Sequence, residues 1–412
     1  MPLRRRLVPR SAPPNLRSMT GLPLLLPATR AAATARLAAF LPRAGLPYAA
    51  RRNEDLPGHP HVSGLSPYLR HRLLTEAEVI DATLRAHPQG ADKFLAEVWW
   101  RTYWKGWLER RPGIWAAYRQ GLTAALNRVQ TESGLRQQWE AACSGTTGID
   151  GFDHWAQELV ATGYLHNHAR MWFASIWIFT LRLPWELGAD FFLRHLIDGD
   201  PASNTLSWRW VGGLHTPGKT YAATADNIAK NTHGRFRPTG LARNCPPLPM
   251  QPHPAPRAMP TGDALHPGLP TALLLHEDDL AGDAPPALAD AGPLMFLSTT
   301  TRRSTLAVNP IVTAFVDDAL TDTAHRRGQP DAPRFTDATL EPLADHLAAQ
   351  GIAQLATPYA PIGPTAAALQ RLAPLLEERG IRLARLLRDH DAVAWPHATH
   401  GFFRFREAVM GV

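Results

Sequence analysis

The chain has 412 residues, 45% of them hydrophobic and only 19% charged, which excludes a disordered polymer and leaves room for two or three domains. Its formal charge of +7 favours a polyanionic partner, although an arginine-rich composition alone gives the same sign. Its two cysteines, Cys143 and Cys245, exclude a four-cysteine cluster and a disulfide framework and fit a reducing, cytoplasmic setting, and no apolar run approaches the length of a membrane span.

In chain order, the opening MPLRRRLVPRSAPPNLRS is basic, proline-rich and free of acids; without an amphipathic stretch it favours a disordered arm at 1–30, or an upstream start codon, over an organelle transit peptide. Over 31–240 the apolar residues recur at helical spacing, as in Leu95, Val98, Trp99 and Tyr103, then Phe191, Phe192, His195 and Leu196; this predicts one all-helical domain. Residues 241–269, with NCPPLPMQPHPAPRAMP among them, hold too much proline to continue a helix and predict an extended linker. Over 270–412 the period changes. Short apolar runs at Thr271–Leu275, Leu294–Leu297, Ala353–Ala356 and Arg382–Leu386 alternate with helical patterns at Asn309–His325, Thr339–Gln350 and Thr365–Arg379. Such alternation predicts a parallel sheet covered by helices.

Three blocks carry chemistry. Ser63-Gly64-Leu65-Ser66-Pro67-Tyr68-Leu69 puts small hydroxyls and backbone N–H groups ahead of a helix, which suits a pyrophosphate and equally an ordinary helix start. The run FLAEVWWRTYW over Phe94–Trp104 sets Glu97, Trp100 and Arg101 on one amphipathic helix. From Thr162 to Trp210 there is an Asn167/Arg170 pair on one helical face, a tight acidic turn Asp198-Gly199-Asp200, then Asn204, with Trp172, Trp177, Trp185, Trp208 and Trp210 interspersed. Thirteen tryptophans exceed what packing needs, although at least half are read as core.

In residue types and spacing these blocks resemble the flavin-binding core of the photolyase/cryptochrome family. The fold this implies is an all-helical FAD-binding domain followed by a Rossmann-like parallel α/β domain. The stretch Leu340–Leu386 resembles the antenna domain that precedes the flavin domain in ordinary photolyases, so the two domains stand in exchanged order. The resemblance implies FAD as cofactor, caged by Tyr48, Ser63, Gly64, Leu65, Ser66, Arg101, Asn167, Arg170, Asp198, Gly199, Asp200 and Asn204. Val62 stands where the family usually has Thr. Arg170 is expected to pair with Asp198 near the ring. Asn204, the residue type that photolyases carry beside the flavin N5, favours repair over signalling.

The same resemblance implies an electron relay through Trp208 and Trp185. Its outermost member has no counterpart near Gln130-Thr131-Glu132, leaving Trp139, Trp172 or Trp177 as substitutes. It implies a catalytic lesion pocket made by Glu97, Trp100, Asn167, Met171 and Trp210, which receives a flipped dinucleotide. Met171 replaces the histidine of (6-4) enzymes, and His168 replaces a customary arginine. Arg70, Arg72, Lys105 and Arg209 are expected to clamp DNA phosphates. The acidic segment His276-Glu277-Asp278-Asp279, where relatives are arginine-rich, is expected to form a rim that repels anionic antenna pigments, so a second chromophore is expected to be weak or absent. The implied function is light-driven splitting of cyclobutane pyrimidine dimers in UV-damaged DNA by electron transfer from excited FADH⁻, in a monomer without membrane or metal. The alternative is a cryptochrome-like blue-light sensor that binds FAD without repair; a third reading is a degenerate flavoprotein acting only as a DNA-binding module.

Overall fold

The computed structural model describes residues 26–216, 218–249, 252–281 and 292–411; most of the arm expected at 1–30 lies outside the described residues. Helix α1 (Arg30–Phe40) starts where the Thr29 hydroxyl accepts from the Ala32 amide at 3.1 Å, satisfying one of the donors that a helix start leaves open. Helices α2 (Leu46–Arg51) and α3 (Ser66–Arg70) each carry proline in the first turn, where its fixed φ and missing N–H cost nothing. A reciprocal Thr75/Glu78 capping box starts α4 (Glu76–Ala86).

The long α5 (Asp92–Glu109) is buried on nearly every side from Thr102 onward. Then follow α6 (Gly113–Thr131), α7 (Ser133–Ser144), α8 (Phe152–Thr162) and α9 (Asn167–Ser175), the last running into a π-turn at Ile176–Thr180. Helices α10 (Trp185–His195), α11 (Pro201–Val211) and α12 (Ala225–Asn231) complete this part. Trp155, Trp172, Trp177, Phe152 and Phe173 are fully buried among α6–α11, so these aromatics are core.

Between α12 and β1 (Thr271–His276) the described residues form neither helix nor strand. The proline-rich segment runs along the helical surface: Leu248 N–H donates to Gly212 O at 2.9 Å, and Arg257 pairs with Glu109 at 3.1 Å. Beyond it, β1, β2 (Leu294–Ser298), β3 (Arg334–Thr336), β4 (Gln354–Pro358) and β5 (Arg382–Leu386) form a parallel sheet in the order β3-β2-β1-β4-β5. Helices α13 (Pro310–Arg326), α14 (Leu340–Ala349) and α15 (Pro364–Glu377) alternate with the strands; α16 (Asp389–Ala394) and α17 (Phe402–Met410) return to α5. The helical-plus-α/β architecture is the one the sequence predicts. Edge strand β3 and the two last helices are additions to it.

The two parts share one core, in which Tyr68 and Leu69 lie with Leu273, Phe296, Phe315 and Val316. A buried ionic seam completes the junction. Arg70 pairs with Asp278 at 2.5 Å; Arg72 pairs with Glu76 at 3.2 Å, Asp279 at 3.1 Å and Asp391 at 2.5 Å; Arg388 also binds Asp279. Glu277 accepts from the Thr299 amide at 2.7 Å and from the hydroxyls of Thr299 and Thr300.

This corrects two expectations. His276-Glu277-Asp278-Asp279 is not an exposed acidic rim: all four residues are buried, because carboxylates taken from water need cationic partners, and α3 with its flanking loop supplies them. The repulsion argument against a second chromophore therefore loses its basis. Nor are Arg70, Arg72 and Lys105 free to clamp DNA, since each is buried and paired within the protein, Lys105 with Glu76 at 3.4 Å. Arg209 is likewise buried and donates to Leu214 O at 3.2 Å.

Candidate functional site

Packing of α11 on both α5 and α9 brings two of the three sequence blocks onto converging helices. The Ser63–Leu69 block bends at Gly64, whose φ of +63° favours glycine, and the Ser63 hydroxyl accepts from the Leu65 amide at 3.3 Å. Leu65 is buried and Ser66 opens α3. From α5, the Arg101 guanidinium reaches the Ser66 carbonyl at 3.5 Å. Tyr48, on α2, packs edge-on against Phe40 and Phe94, and burial pushes its phenol pKa up.

Arg170 of α9 pairs with Asp198 at 2.9 Å, the expected pair, and also donates to Leu165 O at 3.0 Å. Burial pushes the Asp198 carboxyl up, but Arg170 more than offsets this and holds it below the usual range. Asp200 caps α11 by accepting from the Ser203 amide at 2.7 Å. Its carboxyl is held low against burial by Lys105, Arg70 and Arg101. Gly199 between them leaves no room for a side chain: a Cβ there would lie 2.9 Å from Leu193 O and 3.0 Å from Leu196 O. Asn204, a turn into α11, donates its amide to Ala189 O at 2.8 Å.

Buried polar atoms are normally paired. Here Arg101 Nη1 is buried without a hydrogen-bond partner among the described residues, whereas Asp198 also has the Ser66 hydroxyl beside it and Tyr68 has Arg36. Arg101 lies close enough to Asp198 and Asp200 to act on both electrostatically. An open guanidinium donor beside two buried carboxylates held in their charged form fits a ligand with both phosphates and an edge of N–H groups, as a flavin dinucleotide has.

The five lesion-pocket residues are distributed over α5, α9 and α11. Asn167 is exposed at the first position of α9 and Met171 is half-buried one turn on. Trp210 is half-buried and stacks on Tyr221, with ring centroids 5.7 Å apart. Glu97 forms an ion pair with Arg52; burial still leaves its carboxyl raised. Trp100 is stacked almost parallel on Phe402 of α17, at 3.8 Å and 10°. Sequence reading missed both partners. Arg52 lies one helical turn after Tyr48, a detectable spacing, whereas Phe402 lies 302 positions from Trp100 and has no local signal. His168 binds Asn53 O at 3.2 Å and stacks on Trp172 at 4.3 Å.

Among the tryptophans, Trp208 is buried and touches Phe192 at 5.1 Å and Trp177 at 6.2 Å. Trp185 opens α10 and touches Tyr118 at 5.6 Å. Trp172 stacks with Trp155 and His168.

These features define a flavin-binding class of protein, and comparison with known proteins agrees. Residues 94–236 match the family model for the FAD binding domain of DNA photolyase. The deoxyribodipyrimidine photo-lyase of Streptomyces griseus is 33% identical over 165 residues, 40% of this chain and 34% of that protein. That of Thermus thermophilus is 36% identical over 203 residues, 49% of this chain and 46% of that protein. A Synechocystis cryptochrome structure aligns at a TM-score of 0.40 and 22% identity, over 49% of this chain and 43% of that one. The chain thus spans less than half the length of these relatives. Its helical domain is similar to the FAD binding domain of the photolyase/cryptochrome family, and FAD is the cofactor of that domain.

Proposed function

We propose that this chain is a light-driven repair flavoprotein that splits cyclobutane pyrimidine dimers in DNA. The observation that carries the reading is the conjunction of the Arg170–Asp198 pair, the open Arg101 donor and Asp200 at the head of α11, with Trp100, Asn167, Met171 and Trp210 on the helices packed around them. Bound and reduced, FAD supplies a photoexcitable one-electron donor. The protein's own residues do the rest.

Ser63, Gly64, Leu65, Ser66 and Arg101 hold the phosphates, while Arg170, Asp198, Gly199, Asp200 and Asn204 hold the ring edge, with Tyr48 and Asn167 lining the cavity. Trp100 and Trp210 offer apolar faces to a flipped dinucleotide, whose unstacking costs a few kcal/mol and is smallest for a damaged site. Met171 adds an apolar wall. Asn167 donates to and accepts from thymine edges. Glu97, whose pKa is raised by burial, retains a proton more readily than a surface glutamate and can donate it in a hydrogen bond to a thymine carbonyl. Trp208 and Trp185 pass electrons inward to keep the flavin reduced. The proposed partner is UV-damaged DNA, and the proposed state is a cytoplasmic monomer.

A second reading, a blue-light sensor without repair, is favoured by one specific feature. Trp100 is already covered on one face by Phe402, and Glu97 is already paired with Arg52, so two residues meant for the lesion are engaged within the protein. Purified, photoreduced protein incubated with dimer-containing DNA under blue light separates the two: loss of dimers supports repair, and intact dimers beside stoichiometric FAD support the sensor.

A further inference from the structure

Trp208 is enclosed. A Cβ on Gly188 would lie 2.3 Å from its ring, and its indole neighbour Trp177 is itself fully buried, so a charge passed to Trp177 reaches no solvent. Trp185 sits one turn before Gly188 and has an outward neighbour. Its ring meets Tyr118 of α6 at 5.6 Å, and Tyr118 meets Trp115 at 5.2 Å. Trp115 lies one turn earlier on α6 and is half-buried. The packing of α6 against α10 thus joins three rings in a row from core to surface. Tunnelling falls off exponentially with the gap between donor and acceptor, so rings in near contact are the favoured path.

We propose that Trp115 is the surface terminus of the electron relay, reached from Trp185 across the Tyr118 ring. This rests on the reading of Trp208 and Trp185 as relay residues given under Proposed function. One electron leaves Trp208 for the bound, light-excited oxidised flavin; Trp185 refills Trp208, and Trp115 refills Trp185. Trp115, now one electron short, loses its indole proton to water. A small thiolate in solution then gives one electron, the indole regains one proton, and a thiyl radical is left.

The charge does not rest on Tyr118. A phenol that loses an electron must also lose its proton, and the Tyr118 hydroxyl is buried without a hydrogen-bond partner among the described residues. Burial, with Asp190 and Glu186 nearby, pushes its pKa well up. Tyr118 therefore acts as a bridge. The Arg119 guanidinium, 5.9 Å over the Trp115 ring, opposes a positive indole, which makes proton loss to solvent the step that holds the charge there.

The test uses FAD-loaded protein under blue light with a thiol reductant. Its readouts are the absorbance of the long-lived neutral indole radical, mass spectrometry of a spin trap bound at Trp115, and the rate of flavin reduction. Trp115→Phe is expected to abolish the long-lived radical and the trapped adduct and to slow reduction, with unchanged flavin content and melting temperature. Tyr118→Leu, which removes the bridging ring and leaves Trp115, is expected to give the same loss of signal. The proposal is overturned if Trp208→Phe blocks photoreduction while Trp115→Phe leaves it unchanged. Charge would then exit at Trp185 itself, which borders an open groove of about 810 Å³ with Arg182 and Pro247. If Trp208→Phe has no effect either, it is the relay reading of Trp208 that fails.

Discussion

Asp200 is the residue on which the flavin site turns. It caps α11 and answers the charges of Lys105, Arg70 and Arg101. Asp200→Ala removes both functions, the cap being worth about 1 kcal/mol, whereas Asp200→Asn keeps a capping oxygen and removes only the charge. Both variants are expected to purify with less FAD, read from the flavin-to-protein absorbance ratio; full occupancy in Asp200→Ala would show that the acidic turn does not hold the cofactor. Glu97 gives a second residue-level prediction. Burial raises its pKa and Arg52 opposes the rise, so Arg52→Met is expected to push it higher still, measurable by carboxyl NMR titration. An unchanged or lowered value would mean that Arg52 does not control this carboxyl.

At the scale of elements, the seam between α3 and the loop after β1 decides how the two parts stay joined. Arg70→Met leaves Asp278 buried without its main cation, a class of change that costs about 3–5 kcal/mol. It is expected to lower the urea midpoint by a corresponding amount, and restoration in Arg70→Met/Asp278→Leu would identify the unpaired charge as the cause. Gly188→Ala is expected to cost about 1–3 kcal/mol by overpacking, because the new methyl would meet the Trp208 ring at 2.3 Å; unchanged stability would mean that α10 has slack there. This is also the scale at which the sequence was most and least readable. Strand β1 was legible because its apolar run, Ala272–Leu275, is too short for a helix and is preceded by Pro270. Strand β3, three residues of Arg-Phe-Thr at the sheet edge, carries too little pattern to be seen. The motif residues Arg170 and Asp198 were legible as a pair, and they do meet. The acidic segment after β1 was misread because its arginine partners lie 109 to about 200 positions away, and local composition says nothing about such a partner. Phe402 on Trp100 escaped for the same reason.

For the whole molecule, acid stability follows from buried neutral histidines. Burial lowers His71 to about 3, His166 to about 4, His195 to about 3 and His215 to about 3. Below the ordinary value of 6.5 the unfolded chain binds protons that the folded one refuses, so stability is expected to fall as pH drops from there towards 4. His59 has the opposite sign. Burial lowers it, but the carboxylates of Asp55 at 3.6 Å and Glu158 at 3.2 Å more than offset this and raise it to about 9, so its contribution is full below 6.5 and fades as pH rises through 9. Melting temperatures across pH 4–10 check both arms; a flat acid arm would contradict the first. The central claim, a helical FAD-binding domain that uses light to repair DNA, is tested most directly by one assay. Photoreduced protein is mixed with DNA containing cyclobutane thymine dimers, and dimers are counted after blue light and after darkness. Dimers are expected to disappear in the light alone, with restoration of intact thymines. Undiminished dimers in the light, with FAD bound at one per chain, would contradict the account.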